Sequence, residues 1–198
     1  MLQSQNKLTE AETLYREALA MERKVFGNAN PHVTQSLDNL AYVLQSLGKL
    51  SEAEVIYREL LTSVRTNRPT DFTEIAGLLT QLASTLLAEE KFSEAQSPAE
   101  ECVVILGKSL PTYWGTFYAR SMLGGSLLGQ KKYPQAELWL VSGYEGMKLY
   151  EKEIPPHDKP RLREAALRLV SLYEATGQSG KAAEWDKTFG TLNDPAKR

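Results

Sequence analysis

A six-residue phrase recurs about every forty residues, and it constrains the fold more than anything else in this chain. Lys7-Leu8-Thr9-Glu10-Ala11-Glu12 returns 42 residues on (49 − 7) as Lys49-Leu50-Ser51-Glu52-Ala53-Glu54, and 42 further on as Lys91-Phe92-Ser93-Glu94-Ala95-Gln96. A fourth copy, Lys132-Tyr133-Pro134-Gln135-Ala136-Glu137, comes at a step of 41. A degenerate fifth, Gly180-Lys181-Ala182-Ala183, places its Ala 46 residues after Ala136. A fixed period in this range means stacked repeats and excludes a single globular core. Arrays of this kind offer a long surface to a partner, so the repeat bounds function as well as fold.

A second signature lies 12 residues before each recurring Ala. It reads Leu40-Ala41 with Leu44, Leu82-Ala83 with Leu86, Leu123-Gly124 with Leu127, and Leu169-Val170 with Tyr173. Each unit therefore predicts two helices. The first carries an i, i+3, i+4, i+7 apolar stripe such as Leu37, Leu40, Ala41 and Leu44. It stops near Gly48 or Gly177, or at a polar break such as Glu89-Glu90-Lys91 or Gln130-Lys131-Lys132. The second is expected to start at a capping residue (Thr9, Ser51, Ser93) and carries the Ala, where a larger side chain would wedge the pair apart. Pro31, Pro69, Pro111 and Pro155-Pro156 punctuate the gaps between units.

These residues resemble the tetratricopeptide repeat, with its Leu-Gly-x2-Tyr, Ala-x3-Phe and Pro positions. Ala11-x3-Tyr15, Ala53-x3-Tyr57 and Ala136-x3-Leu140 follow that pattern, while Ala95-x3-Ala99 and Ala182-x3-Asp186 depart from it. The usual period is about 34 residues, so the longer step implies helices about a turn longer each. That form is similar to the repeats of kinesin light chains and their bacterial relatives. Leu14-Tyr15-Arg16-Glu17-Ala18-Leu19 and Pro31-His32-Val33-Thr34-Gln35-Ser36-Leu37-Asp38-Asn39-Leu40-Ala41 carry the likeness. The stretch from Leu123 to Tyr133, with Gly143-Tyr144-Glu145-Gly146-Met147, Ile154-Pro155-Pro156 and Glu174-Ala175-Thr176-Gly177, resembles the repeat-bearing tails of bacterial multidomain serine/threonine kinases. The kinase glycine-rich loop, His-Arg-Asp and Asp-Phe-Gly are not in the sequence.

The resemblance implies an all-α fold, a right-handed α-solenoid of stacked antiparallel helix pairs. We expect one array: 1–30 as the second helix of a truncated repeat, repeats at 31–69, 70–110 and 111–156, a C-terminal repeat or cap at 157–190, and a tail at 191–198. Leu2-Gln3-Ser4 aligns with Leu44-Gln45-Ser46 at the same offset, as the last turn of a first helix. The chain is thus expected to begin inside a repeat of a longer array. A second helix at about 8–26 would then expose Leu14 and Ala18, and an uncovered apolar face invites self-association.

Composition narrows the function. The 198 residues carry 23 Lys+Arg against 25 Asp+Glu, a net charge of −2, so there is no basic stripe for nucleic acid. No apolar run approaches the roughly 18–20 residues that span a bilayer. The opening Met1-Leu2-Gln3-Ser4-Gln5-Asn6 is polar and not a signal peptide. One cysteine, Cys102, allows no internal disulfide and fits a reducing compartment, so a cytoplasmic location is expected.

No catalytic or metal-binding set is expected, and no cofactor. His32 and His157 lie beside prolines at helix starts and lack clustered co-ligands. Gly124-Gly125-Ser126-Leu127-Leu128-Gly129 lies in a helical stripe without a following Lys-Ser/Thr, so close helix packing is its expected role rather than a phosphate loop. Cys102 is expected on a packing face, and Trp114, Trp139 and Trp185 in packing. In the resembled family the first helices line a concave groove. The residues opposite the packing stripe would form its floor: Gln35, Asn39 and Tyr42, then Gln81 and Ser84, Tyr118 and Met122, and Arg168. Amides such as Asn39 and Gln81 can bond both the N–H and C=O of an extended backbone. The expected function is therefore a non-enzymatic scaffold binding an extended peptide segment of a partner protein. A regulatory module sensing a free short peptide or small ligand is the alternative.

Overall fold

The computed structural model describes residues 2–27 and 30–192. Among them are nine α-helices and no strand: α1 (Leu2–Phe26), α2 (Pro31–Ser46), α3 (Leu50–Asn67), α4 (Phe72–Ala88), α5 (Phe92–Ser109), α6 (Trp114–Gly129), α7 (Tyr133–Leu149), α8 (Lys159–Ala175) and α9 (Ser179–Leu192). Two short 3₁₀ turns, Glu151–Glu153 and Pro156–Asp158, lead into α8. The helices group into two compact units, one ending at Glu89 and the other starting at Glu90. In the first, α1 packs on α2, α2 on α3 and α3 on α4. In the second, α5 packs on α6, α6 on α7, α7 on α8 and α8 on α9, and α8 also touches α6. The tail expected at 191–198 lies outside the described residues from 193 on, and residues 191 and 192 end α9.

Each reversal from first to second helix is made by one residue in the left-handed region. These are Gly48 (φ 76°), Glu90 (φ 58°), Lys131 (φ 61°) and Gly177 (φ 70°), spaced like the repeats themselves. The same pair of backbone bonds closes three of these turns. Gly48 N–H donates to Gln45 O at 3.0 Å and Lys49 N–H to Leu44 O at 2.9 Å. Lys131 and Lys132 repeat this on Leu128 and Leu127 (2.8 and 2.9 Å), and Gly177 and Gln178 on Glu174 and Tyr173 (3.1 and 2.8 Å). This is the Schellman closure, which satisfies the last carbonyls of the first helix. It also redirects the chain so sharply that the second helix starts two residues later. Ser51 and Ser93 lie inside the second helices and are not caps, contrary to expectation. Lys49 and Lys91 occupy the flanking positions, with no side-chain cap bond. True caps occur where a loop precedes the helix: Asn30 Oδ1 accepts from His32 N–H (2.9 Å) and Asp71 Oδ1 from Glu74 N–H (3.1 Å).

The break expected near Asn6 is absent. α1 runs unbroken from Leu2 through Thr9 to Phe26. Asn6 stands 42 residues before Gly48 but lies inside the helix. Gly27 (φ 74°) ends it. Leu14 is exposed, as expected, and Ala18 is half-buried.

The small residues lie where the helices come closest. Ala53 and Ala136 have no exposed surface, nor do Ala41 and Ala95, and Ala182 is buried. At Gly124 a Cβ would sit 2.6 Å from Leu140 Cγ, so the glycine run serves packing. Gly143 meets backbone, with a Cβ position 2.7 Å from Ser121 N of α6, and at Gly146 a Cβ would collide with the Phe117 ring.

The recurring Lys and Glu of the phrase link neighbouring second helices. Lys49 Nζ donates to both carboxylate oxygens of Glu12 at 2.8 Å, and Arg16 adds bonds at 3.0 and 3.1 Å. The Lys49 bond, against the opposing effect of burial, holds the Glu12 carboxyl below its usual value. Arg16–Glu52 (2.6 Å) and Arg23–Glu59 (3.0 Å) continue the ladder between α1 and α3. In the second unit Lys132 Nζ donates to Gln96 Oε1 at 3.3 Å, the same two phrase positions one repeat apart. Glu137 accepts from Tyr173 Oη (2.9 Å) and Lys181 Nζ (3.4 Å). Burial, with that bond to Glu137, pushes the Tyr173 hydroxyl up to about 12.

Two stability outcomes are expected. Ala53→Leu lowers the urea midpoint more than Ala18→Leu does at low protein concentration, since overpacking a closed crossing costs about 1–3 kcal/mol. Equal midpoints would refute the tight crossing. Lys131→Gly stabilises by about 0.5–1 kcal/mol, the left-handed penalty relieved less the glycine's added unfolded entropy. Gly48→Ala destabilises by about the same amount, and thermal melts of the two variants read both signs.

Candidate functional site

The outer stripe of α2 is open. Gln35 and Tyr42 are exposed, the latter by 56%, and Asn39 is half-buried. Gln35 Nε2 donates to Asn39 Oδ1 at 3.4 Å, so both amides lie along one edge of the helix. A polar clamp sets α2 against α4: Gln45 Nε2 donates to Ser84 Oγ (3.0 Å) and Thr85 Oγ1 (3.1 Å). Carried back along two parallel helices, that register sets Tyr42 level with Gln81 and Asp38 level with Gly77. Gly77 presents no side chain, and a Cβ there would meet nothing within 4 Å. The first unit therefore shows a polar strip on α2 and α4 with an open place at Gly77.

Ser84 is part of the clamp. Its hydroxyl donates to Gln81 O at 3.0 Å and accepts from Gln45, which leaves it a positioning role.

The expected groove residues of the second unit do not form a floor. Tyr118 and Met122 are 1% and 0% exposed. The reason is that α8 packs across the face of α6 that the periodicity assigns to solvent. Tyr118 Oη donates to Glu164 Oε2 at 2.8 Å, and burial raises its hydroxyl above the usual value. The Arg161 and Arg168 guanidiniums stand 4.8 and 5.6 Å from the centre of its ring. Arg168 also donates to Ser121 Oγ (3.1 Å) and pairs with Glu164 (3.5 Å). Arg161 donates to Asp158 Oδ1 (2.8 Å). Arg168 thus joins α8 to α6 and is not an open cation awaiting a ligand.

Asp38 was missed by the periodicity, because it flanks the stripe instead of lying opposite it. It is half-buried and makes no hydrogen bond or ion pair among the described residues. Burial, and then the charge of Glu74, raises its carboxyl above the usual value. Glu74 itself is paired with Arg68. The strip is therefore amide-rich with one uncompensated acid.

Among the described residues no group of His, Cys, Asp and Glu could hold a metal ion, and no helix is long and apolar enough to cross a membrane. His157 contacts Asp158 at 3.2 Å, and His32 packs its ring on Phe26. Cys102 has no exposed surface.

A chain of helix pairs turned by left-handed residues, closed on small side chains at 42-residue steps, is an α-helical repeat protein. Residues 1–66 match the family model of the tetratricopeptide repeat. No curated protein matches the chain. Among solved structures, nearly identical TPR-like repeats from a Podosopora anserina protein assigned as a kinesin light chain superpose with TM-score 0.74 at 18% identity, covering 99% of this chain and 91% of that one. BtubC (BKLC) from P. vanneervenii gives 0.55 at 16%, covering 95% and 90%. MamA from Desulfovibrio magneticus gives 0.54 at 13%, covering 93% and 96%. At these identities the likeness is one of fold. It makes the chain all-α and of the solenoid class, with its first third matching the tetratricopeptide repeat.

The raised carboxyl of Asp38 has a definite sign. A carboxyl whose folded value lies above its unfolded value favours the folded state less as pH climbs through that interval. Asp38→Asn removes the ionisation, so it raises the urea midpoint at pH 7. The gain disappears below about pH 4, where the parent carboxyl is protonated in both states. An Asn variant no more stable than the parent at pH 7 would show that water fully compensates Asp38.

Proposed function

We propose that the chain is a non-catalytic protein-interaction module whose working surface is the outer strip of α2 and α4 in the first unit. The occupant is an extended segment of a partner protein. One observation carries the reading: on α2 Gln35 and Tyr42 are exposed and Asn39 is half-buried, and on α4 Gly77 leaves open space where a side chain would stand. Amide side chains can satisfy both polar groups of a passing backbone. Tyr42 supplies a ring whose body is apolar and whose hydroxyl stays wet. The lone acid at Asp38 favours a basic side chain in the bound segment. Buried Cys102 fits a reducing compartment and a cytoplasmic place of action.

The test is a library of extended peptides selected on the whole chain, with affinities then measured by calorimetry. Asn39→Ala with Gln81→Ala is expected to weaken the selected peptides about tenfold, since each lost backbone bond is worth about 0.5–1.5 kcal/mol. Val55→Ser, at a 65% exposed position on α3, leaves affinity unchanged. Binding that survives the double change and fails at Val55 would move the site to the second helices. Full affinity retained by a core of three or four residues would instead identify a sensor of free short peptides.

A further inference from the structure

α1 turns an apolar stripe away from its own unit. Leu14, Met21 and Val25 are 59%, 63% and 72% exposed. With the half-buried Ala11 and Ala18 they follow the alternating three- and four-residue spacing of a heptad seam. The buried residues of the helix, Glu12 and Leu19, lie well round its circumference from this stripe.

The stripe is complementary to itself. Laid antiparallel on a second copy with Leu14 facing the copy's Ala18, Met21 falls on the copy's Ala11. Each large side chain then lies over a small one, the arrangement that interdigitates facing layers. Val25 falls on the aliphatic stem of the copy's Lys7. In the same register the flanking positions bring Glu10 to the copy's Lys24, and Lys24 to its Glu10. Both residues are exposed and neither has an ion pair among the described residues. A twofold contact makes every such match twice. Glu17 meets its own equivalent beside the axis.

We propose that this stripe is a homodimer interface, with two copies pairing their α1 helices antiparallel about a twofold axis beside Glu17. A single helix pair lies at the small end of specific interfaces, where association is weak and transient. The dimer is therefore micromolar, and it leaves the α2–α4 strip uncovered.

Sedimentation velocity of the whole chain, from about 1 μM to about 1 mM, reads the equilibrium. A monomer–dimer transition is expected, and Met21→Glu removes it while the circular dichroism spectrum stays helical. Glu10→Lys and Lys24→Glu each weaken the dimer about 3–30-fold, two exposed pairs being lost at once. The double exchange restores it, and Glu17→Gln tightens it. A monomer at every concentration overturns the proposal, as does a dimer indifferent to Met21→Glu. A double exchange no better than the single changes rejects the antiparallel register.

Discussion

Everything in this fold depends on reversing the chain within one residue. Two helices can pack antiparallel at close range only if the link between them is short. A short link leaves the last carbonyls of the first helix and the first amides of the second without partners. A left-handed residue answers both demands, since its two bonds close the first helix and aim the backbone into the second. Glycine accepts that conformation at Gly48 and Gly177, while Glu90 and Lys131 accept it at a cost. Once the turn is fixed, the separation from turn to crossing is fixed as well. The small residue must then fall five positions beyond it, as Ala53, Ala136 and Ala182 do.

This is why the helix pairs were legible in the sequence. The phrase contains the crossing Ala, and the polar breaks contain the turn. What the periodicity could not supply was the environment of each face. On α2 the spacing selected residues that solvent reaches, with Gln35 and Tyr42 exposed and Asn39 half-buried. On α6 the same spacing selected Tyr118 and Met122, which are buried, because a helix covered on three sides has no outer stripe. Small side chains on every face of α6, among them Gly124, Gly125, Ser121 and Ser126, are the local signal of such enclosure. The cap expected at Ser51 failed for another reason: a helix entered directly from a Schellman turn needs no cap.

The Lys and Glu of the phrase show what repetition in sequence can encode. Within one copy they have no evident business together. The first and last positions of the phrase meet one repeat apart, Lys49 on Glu12 in the first unit and Lys132 on Gln96 in the second. The open strip of the first unit differs from these linked faces. Its amides are only loosely engaged, and Asp38 has no cation beside it, which sets that surface apart from the satisfied Arg168, Glu164 and Ser121 cluster on α8 and α6.

Gly143 brings the backbone of α7 almost onto that of α6. A contact made by backbone has no side-chain rotamers to give way, so it cannot yield by degrees. Any replacement there displaces α7 as a rigid body, and α7 carries Tyr144, whose ring meets Trp185 of α9 edge-on at 4.7 Å. Gly143 is in effect the fulcrum of a lever. One added methyl group at the fulcrum would be felt as a shift at the last helix, far from the atom that caused it.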